Sequence, residues 1–156
     1  MVLRPVSWAD LPDLVALKAD PLVFAIMLGG VRTPQRVQEE LAEDVAFWGS
    51  HGTGMWSARE AGQFVGIVGV MQRPDGRGLA LRFALYPAVR GRGLAREAAA
   101  AALRFAHEAA RIPRIVAVAR EDNFASRMVL GSIGMRETEE FQRDGHRMLV
   151  YESVRR

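Results

Sequence analysis

Apolar side chains recur at helical spacing in some stretches and gather in short runs between turn residues in others, and this contrast predicts the elements. Val37, Leu41, Val45 and Trp48 follow one another at steps of four, four and three, the spacing of one helix face. Thr33-Pro34 precedes them, a capping residue followed by a proline tolerated in the first helical turn. Gly49 to Gly54 is expected to be a loop. An earlier helix is signalled by Ser7-Trp8-Ala9-Asp10 followed by Leu11, Leu14, Val15 and Leu17, with Pro21 ending or bending it. Leu22 to Val31 contains Gly29-Gly30 and reads as a loop or broken helix. Leu3 to Val6 is a first short strand.

Met55–Arg59, Gln63–Met71 and Leu79–Tyr86 are short β-forming runs separated by turn residues, and they predict an antiparallel meander. A long alanine-rich helix then runs to about Arg111, and Pro113 stops it. Ile115–Ala119 is a short strand, Ala125–Ile133 a short helix closed by Gly134, and Asp144-Gly145 a hairpin turn between two final strands. Strands and helices share one core in this order. The expected class is α+β, or mixed α/β, with a parallel strand–helix–strand crossover in the middle.

Composition narrows the field. With 156 residues, 49% of them hydrophobic, the chain fits one globular domain spanning residues 1–156. No run approaches the roughly 20 apolar residues of a membrane span, and the first residues lack a signal-peptide pattern. Cysteine is absent, which excludes disulfides, thiolate metal sites and a cysteine nucleophile. A cytoplasmic protein with no metal and no membrane partner is expected. The net charge is +3, and 20 of the 21 basic residues are arginine. The 18 acidic residues are interspersed, so nucleic acid is not the expected main partner.

Arg90-Gly91-Arg92-Gly93-Leu94-Ala95 lies between a strand and the long helix. The first amides of a helix lack internal partners and, with the helix dipole, attract anions. The two glycines let a phosphate approach the backbone, and the arginines add fork-shaped donors. The segment therefore points to a phosphate or pyrophosphate. It lacks the lysine of a mononucleotide P-loop and the third glycine of a dinucleotide fingerprint.

The chain resembles the GCN5-related N-acetyltransferase (GNAT) superfamily. Arg90-x-x-Gly93-x-Ala95 is similar to the family's Arg/Gln-x-x-Gly-x-Gly/Ala signature, and Asn123 to Leu130 ahead of Ile133-Gly134-Met135 resembles the ribosomal-protein serine/alanine N-terminal acetyltransferase branch. Leu3-Arg4-Pro5 and Trp48-Gly49 fit that branch as well. The resemblance implies a seven-stranded, mostly antiparallel sheet with about four helices. It implies acetyl-CoA as acetyl donor and a primary amine as acceptor, either a protein N-terminus or a small amine. By the same resemblance, Arg90, Gly91, Arg92, Gly93, Leu94 and Ala95 hold the pyrophosphate. Ala84, Leu85 and Tyr86 flank the pantetheine arm, the Leu85 amide polarises the thioester carbonyl, and Asn123 and Ser126 touch the pantetheine or sulfur region. The amine attacks directly, without a covalent enzyme intermediate.

Two familiar side chains of that branch are missing. Ala80 stands where a glutamate is often found, and Phe83 where a tyrosine is. Tyr151 is in the last strand. A lysine amine is neutral in roughly 0.04% of molecules at pH 7 and an α-amine in roughly 14%, so an acceptor that needs no strong base is favoured. The other reading is a catalytically silent fold that binds or senses an acyl-CoA. His107, His51 and His146 are expected to be structural or superficial, and Glu39, Glu40 and Glu43 a solvated helix face, with Glu39 or Glu43 at the acceptor entrance as the alternative. Met27, Met55, Met71 and Met128 are expected in the core. Phe141 and Leu149 of the final hairpin offer a surface for a homodimer.

Overall fold

The computed structural model describes residues 1–156. Seven strands form one sheet: β1 (Val2–Pro5), β2 (Met55–Glu60), β3 (Gln63–Gln72), β4 (Leu79–Leu85), β5 (Arg114–Arg120), β6 (Arg136–Arg143) and β7 (His146–Val154). Their order across the sheet is β1-β2-β3-β4-β5-β7-β6. All neighbours are antiparallel except β4 and β5. The helices are α1 (Leu11–Ala19), α2 (Pro21–Phe24), α3 (Pro34–His51), α4 (Leu94–Glu108) and α5 (Phe124–Ser132). The fold is the mixed sheet implied by the resemblance, with five helices instead of about four because Pro21 opens a short helix of its own. Asp20 caps it by accepting from the Leu22 amide at 2.9 Å.

Turn chemistry fixes the register. Ala61-Gly62 and Asp144-Gly145 both have positive φ at both positions, the conformation that matches the twist of a two-residue hairpin. Gly52 ends α3 in the left-handed conformation, φ 71°. The predicted loop beginning at Gly49 is therefore helix as far as His51, since Gly49 adopts no special conformation and the cap lies three residues later.

The sheet buries both faces. Val68, Val70, Leu81, Ile115 and Ala117 pack with Ala98, Ala99, Ala102 and Ala106 of α4 and Leu130 of α5. The alanines bring α4 close to the sheet. On the other face Ile67, Ala84 and Met55 pack with Leu14, Leu17, Phe24, Val37 and Leu41 of α1 to α3. Two expectations fail here. Met128 is 75% exposed on the outer side of α5, and Leu149 is 1% exposed in the core, so it offers nothing to a second copy. Phe141 is half-buried beneath the Arg77 guanidinium, 3.7 Å from the ring centroid. His107 bonds Ile112 O and Ser153 Oγ, each at 2.8 Å, and is structural. His51 and His146 are exposed.

Candidate active site at the split between β4 and β5

Strand β4 pairs with β3 along its whole length, from Gln72↔Leu79 to Gly66↔Leu85. Its other edge is different. The only registered pair with β5 is Ala80↔Val116. Beyond it the two parallel strands diverge, and a cavity of about 730 Å³ opens there. Ala80 to Phe83 line it from β4, Ala117 to Arg120 from β5, and Asn123 and Ser126 from the start of α5. The opposite wall comes from the segment after α2 and from α3, including Met27, Arg32, Arg36, Glu40 and Glu43.

The backbone of β4 presents donors to this split. The Tyr86 amide donates to Val65 O at 3.0 Å, on the β3 side. Amides alternate along a strand, so the Leu85 and Phe83 amides face the β5 side, where pairing has ceased. The Leu85 carbonyl shares that edge and accepts from Arg90 Nη2 at 3.4 Å. The Leu85 side chain is buried against Ala58 and Val65, beside Leu94 and Ala95. Ala84 is buried on the opposite face, and the half-buried Tyr86 ring packs with it against α1 to α3. Burial, with Asp20 and Asp13 nearby, raises the Tyr86 phenol above its ordinary pKa. Of these three residues, Leu85 alone turns its amide to the split. None of the three lines the cavity itself.

At the same end of the sheet, residues Gly91 to Arg96 carry six successive amides that donate to no acceptor within the chain. The helical ladder of α4 begins with Glu97 N–H donating to Gly93 O at 3.0 Å. Gly91 and Gly93 have φ of 82° and 75°, values that β-carbon-bearing residues resist. A Cβ at either position would meet only open space. The glycines therefore set the direction of the amides and leave their approach clear. Arg90 turns back to Leu85, and Arg92 pairs with Glu60. The anion-binding capacity of the turn rests on backbone donors and the helix dipole more than on free guanidinium charge. This cradle fits a pyrophosphate.

Asn123 caps α5, its Oδ1 accepting from the Ser126 amide at 3.2 Å. Both residues border the cavity, and the Asn123 side-chain nitrogen and Ser126 hydroxyl are not engaged within the chain. Tyr151 is elsewhere. It is buried, and its hydroxyl accepts from Arg127 Nε at 3.2 Å.

Charge on the far wall was not foreseen from the sequence. Lys18 is 1% exposed, with Nζ 3.2 Å from Glu40 Oε1. Arg32 Nε is 3.2 Å from Glu40 Oε2. Burial lowers the Lys18 pKa. Burial pushes Glu40 the other way, but Lys18 and Arg32 outweigh it and hold the carboxyl below its ordinary value. Burial raises the Asp44 carboxyl. Arg82, central in β4, completes the group beside the Phe24 ring, 5.8 Å from its centroid. Glu40 is thus not part of a solvated face. A signal was present, because Glu40 and Asp44 fall on the helical row of Val37 and Leu41. Glu43 reaches the cavity as the alternative reading expected, and Glu39 does not.

Comparison with known proteins agrees with this geometry. The acetyltransferase (GNAT) domain family matches residues 1–136. An acetyltransferase from Agrobacterium tumefaciens is similar at 29% identity and a TM-score of 0.81, covering 97% of this chain and 88% of that one. A ribosomal-protein-alanine N-acetyltransferase from Brucella melitensis has 22% identity and a TM-score of 0.79, over 99% of both chains. An acetyltransferase from Salmonella typhimurium, solved with its cofactor acetyl-CoA, has 18% identity and a TM-score of 0.80, covering 98% of this chain and 92% of that one. No helix is long and apolar enough to cross a membrane.

Proposed function

Since the chain belongs to the GNAT acetyltransferase domain family, we propose that it moves an acetyl group from acetyl-CoA directly to a primary amine. The observation that carries this reading is the alignment of two backbone donor sets along one end of the sheet. The amides of Gly91 to Arg96 have no partner in the chain, and the Leu85 amide faces the gap opened beyond Ala80↔Val116. The first set suits a pyrophosphate. The second is where a carbonyl oxygen would gain negative charge and receive a preorganised N–H donor. Asn123 and Ser126 close the other side and supply donors for the pantetheine amides.

The thioester supplies an activated acetyl group. The chain's residues hold it against an incoming neutral amine, polarise its carbonyl through Leu85 N–H, and leave the departing sulfur near Asn123 and Ser126. The new C–N bond forms as the C–S bond breaks. The amine proton leaves to water or to the released thiolate. The cavity displays no tyrosine, its Glu40 is engaged by two cations, and its Glu43 and Asp75 are paired with Arg36 and Arg73. An acceptor already partly neutral at pH 7 therefore suits it, which favours an α-amine over a lysine side chain. The resemblance to ribosomal-protein N-acetyltransferases and the Brucella structure support a protein or peptide N-terminus, with a small α-amine as the other candidate.

The test is release of free CoA thiol from acetyl-CoA by purified protein across peptides, amino acids and polyamines, with the acetylated product weighed by mass spectrometry. Amine-dependent thiol release with a product heavier by one acetyl group is expected. Acetyl-CoA binding without release by any amine class contradicts catalysis and supports a binding module.

A further inference from the structure

The acceptor side of the cavity carries positive charge that the chain does not neutralise. Four of its arginines have carboxylate partners: Arg32 with Glu40, Arg36 with Glu43, Arg73 with Asp75, and Arg120 with Asp122. Two do not. The side chains of Arg82 and Arg143 line the same cavity and form no hydrogen bond, and no ion pair within 4.0 Å. The Nε of Arg82 is fully buried and unpartnered. Glu40 is committed to Lys18 and Arg32. Asp44 pulls on Arg82 only at longer range, as Asp144 and Asp75 do on Arg143.

Arg82 is half-buried as a residue, but its Nε is buried without a partner, which is costly and persists where something else completes it. The Phe24 ring offers Arg82 only partial compensation, because Lys18 and Arg32 stand over the same ring at 5.9 and 5.3 Å. Arg82 occupies β4 three residues before Leu85. Three residues of extended strand span roughly 10 Å, a distance shared between the long Arg82 side chain and the acceptor.

We propose that the acceptor is a primary amine that also carries a carboxylate, and that Arg82 receives this carboxylate while the amine faces the Leu85 end of the split, with Arg143 supplying further positive potential. The inference rests on the acetyl-transfer reading of this cavity and adds a substrate class to it. It disfavours polyamines, whose second cation would meet like charge. Fork-shaped arginine recognition of carboxylates is directional, so neutral amides are poor substitutes.

Binding tests this independently of turnover. The probes are the free amino acids against their carboxamides, and Asp-Ala-Ala-amide against Asn-Ala-Ala-amide, titrated calorimetrically into the full chain with and without acetyl-CoA. At least one carboxylate probe is expected to bind roughly tenfold or more tightly than its amide counterpart. The amino-acid and peptide arms distinguish a free zwitterion from an acidic N-terminus. The contrast is expected to vanish in Arg82→Gln and to narrow in Arg143→Gln, with acetyl-CoA affinity retained in both as the control for folding. Absence of any such contrast in the wild type, or its full survival in Arg82→Gln, overturns the proposal. Loss of acetyl-CoA binding in the wild type counts against acetyl transfer instead, and the carboxylate contrast is read separately from it.

Discussion

Ala80 on β4 and Val116 on β5 form the sole registered pair between these two parallel strands. The opening of the sheet at the site starts from that single tie. It joins the two halves of the sheet, and it lets β4 keep its β3 partner while its other edge opens. Bulk at Ala80 or Val116 would move the point of divergence.

Gly66 lies opposite Leu85. A Cβ there would stand 2.2 Å from Ala84 O and 2.8 Å from Leu85 Cα. Gly66→Ala is predicted to cost about 2 kcal/mol in stability. It also displaces the Leu85 amide, so kcat should fall more than KM changes. Denaturant unfolding and steady-state thiol release measure the two effects.

Gly93 is the N-cap of α4 with φ 75°. Gly93→Val strains this conformation and places a branched side chain over the unpaired amides. The predicted result is weaker acetyl-CoA binding by roughly tenfold or more, with about 1 kcal/mol lost from stability. Calorimetry and thermal unfolding read these separately.

The chain pattern made much of the fold legible. Short β-forming runs and the turn residues between them located β2 to β4, and Asp144-Gly145 located the last hairpin. The glycine-rich turn ahead of α4 was visible too, because glycine and helix polarity are local properties. The β4–β5 split was not visible. It is a pairing that stops, and no local pattern marks where a parallel partner departs. The charge cluster of Lys18, Glu40, Asp44 and Arg82 was missed for a similar reason. Each charge is ordinary on a surface, and only packing α1 and α3 against β4 makes them neighbours. Ala80 and Phe83 drew attention to missing side chains, while Arg82 between them brings an unpaired charge to the same cavity.

Glu40 bridges Lys18 and Arg32. Glu40→Gln leaves the Lys18 ammonium buried without its carboxylate and is predicted to cost about 3 kcal/mol at neutral pH. Lys18 and Arg32 hold the folded-state pKa of Glu40 below its ordinary value. Its stabilisation is therefore present above the ordinary carboxylate range and is lost as pH falls through the folded value. Denaturant unfolding from pH 7 down to pH 3 should show this loss in the wild type, and Glu40→Gln should lack that component.

Tyr151 accepts a hydrogen bond from Arg127 and is buried away from the cavity. Tyr151→Phe is predicted to lower stability by about 1 kcal/mol and to leave the pH profile of kcat unchanged. A loss of the alkaline or acidic limb of that profile would place the phenol in proton transfer.

The most direct measurement is calorimetric titration of the wild-type chain with acetyl-CoA, with ATP and NAD as controls. The geometry of Gly91 to Arg96 beside the open edge of β4 predicts one site per chain, micromolar affinity for acetyl-CoA and no comparable affinity for either nucleotide. Absence of binding at high micromolar acetyl-CoA would contradict the account and leave the turn as an anion site for another ligand.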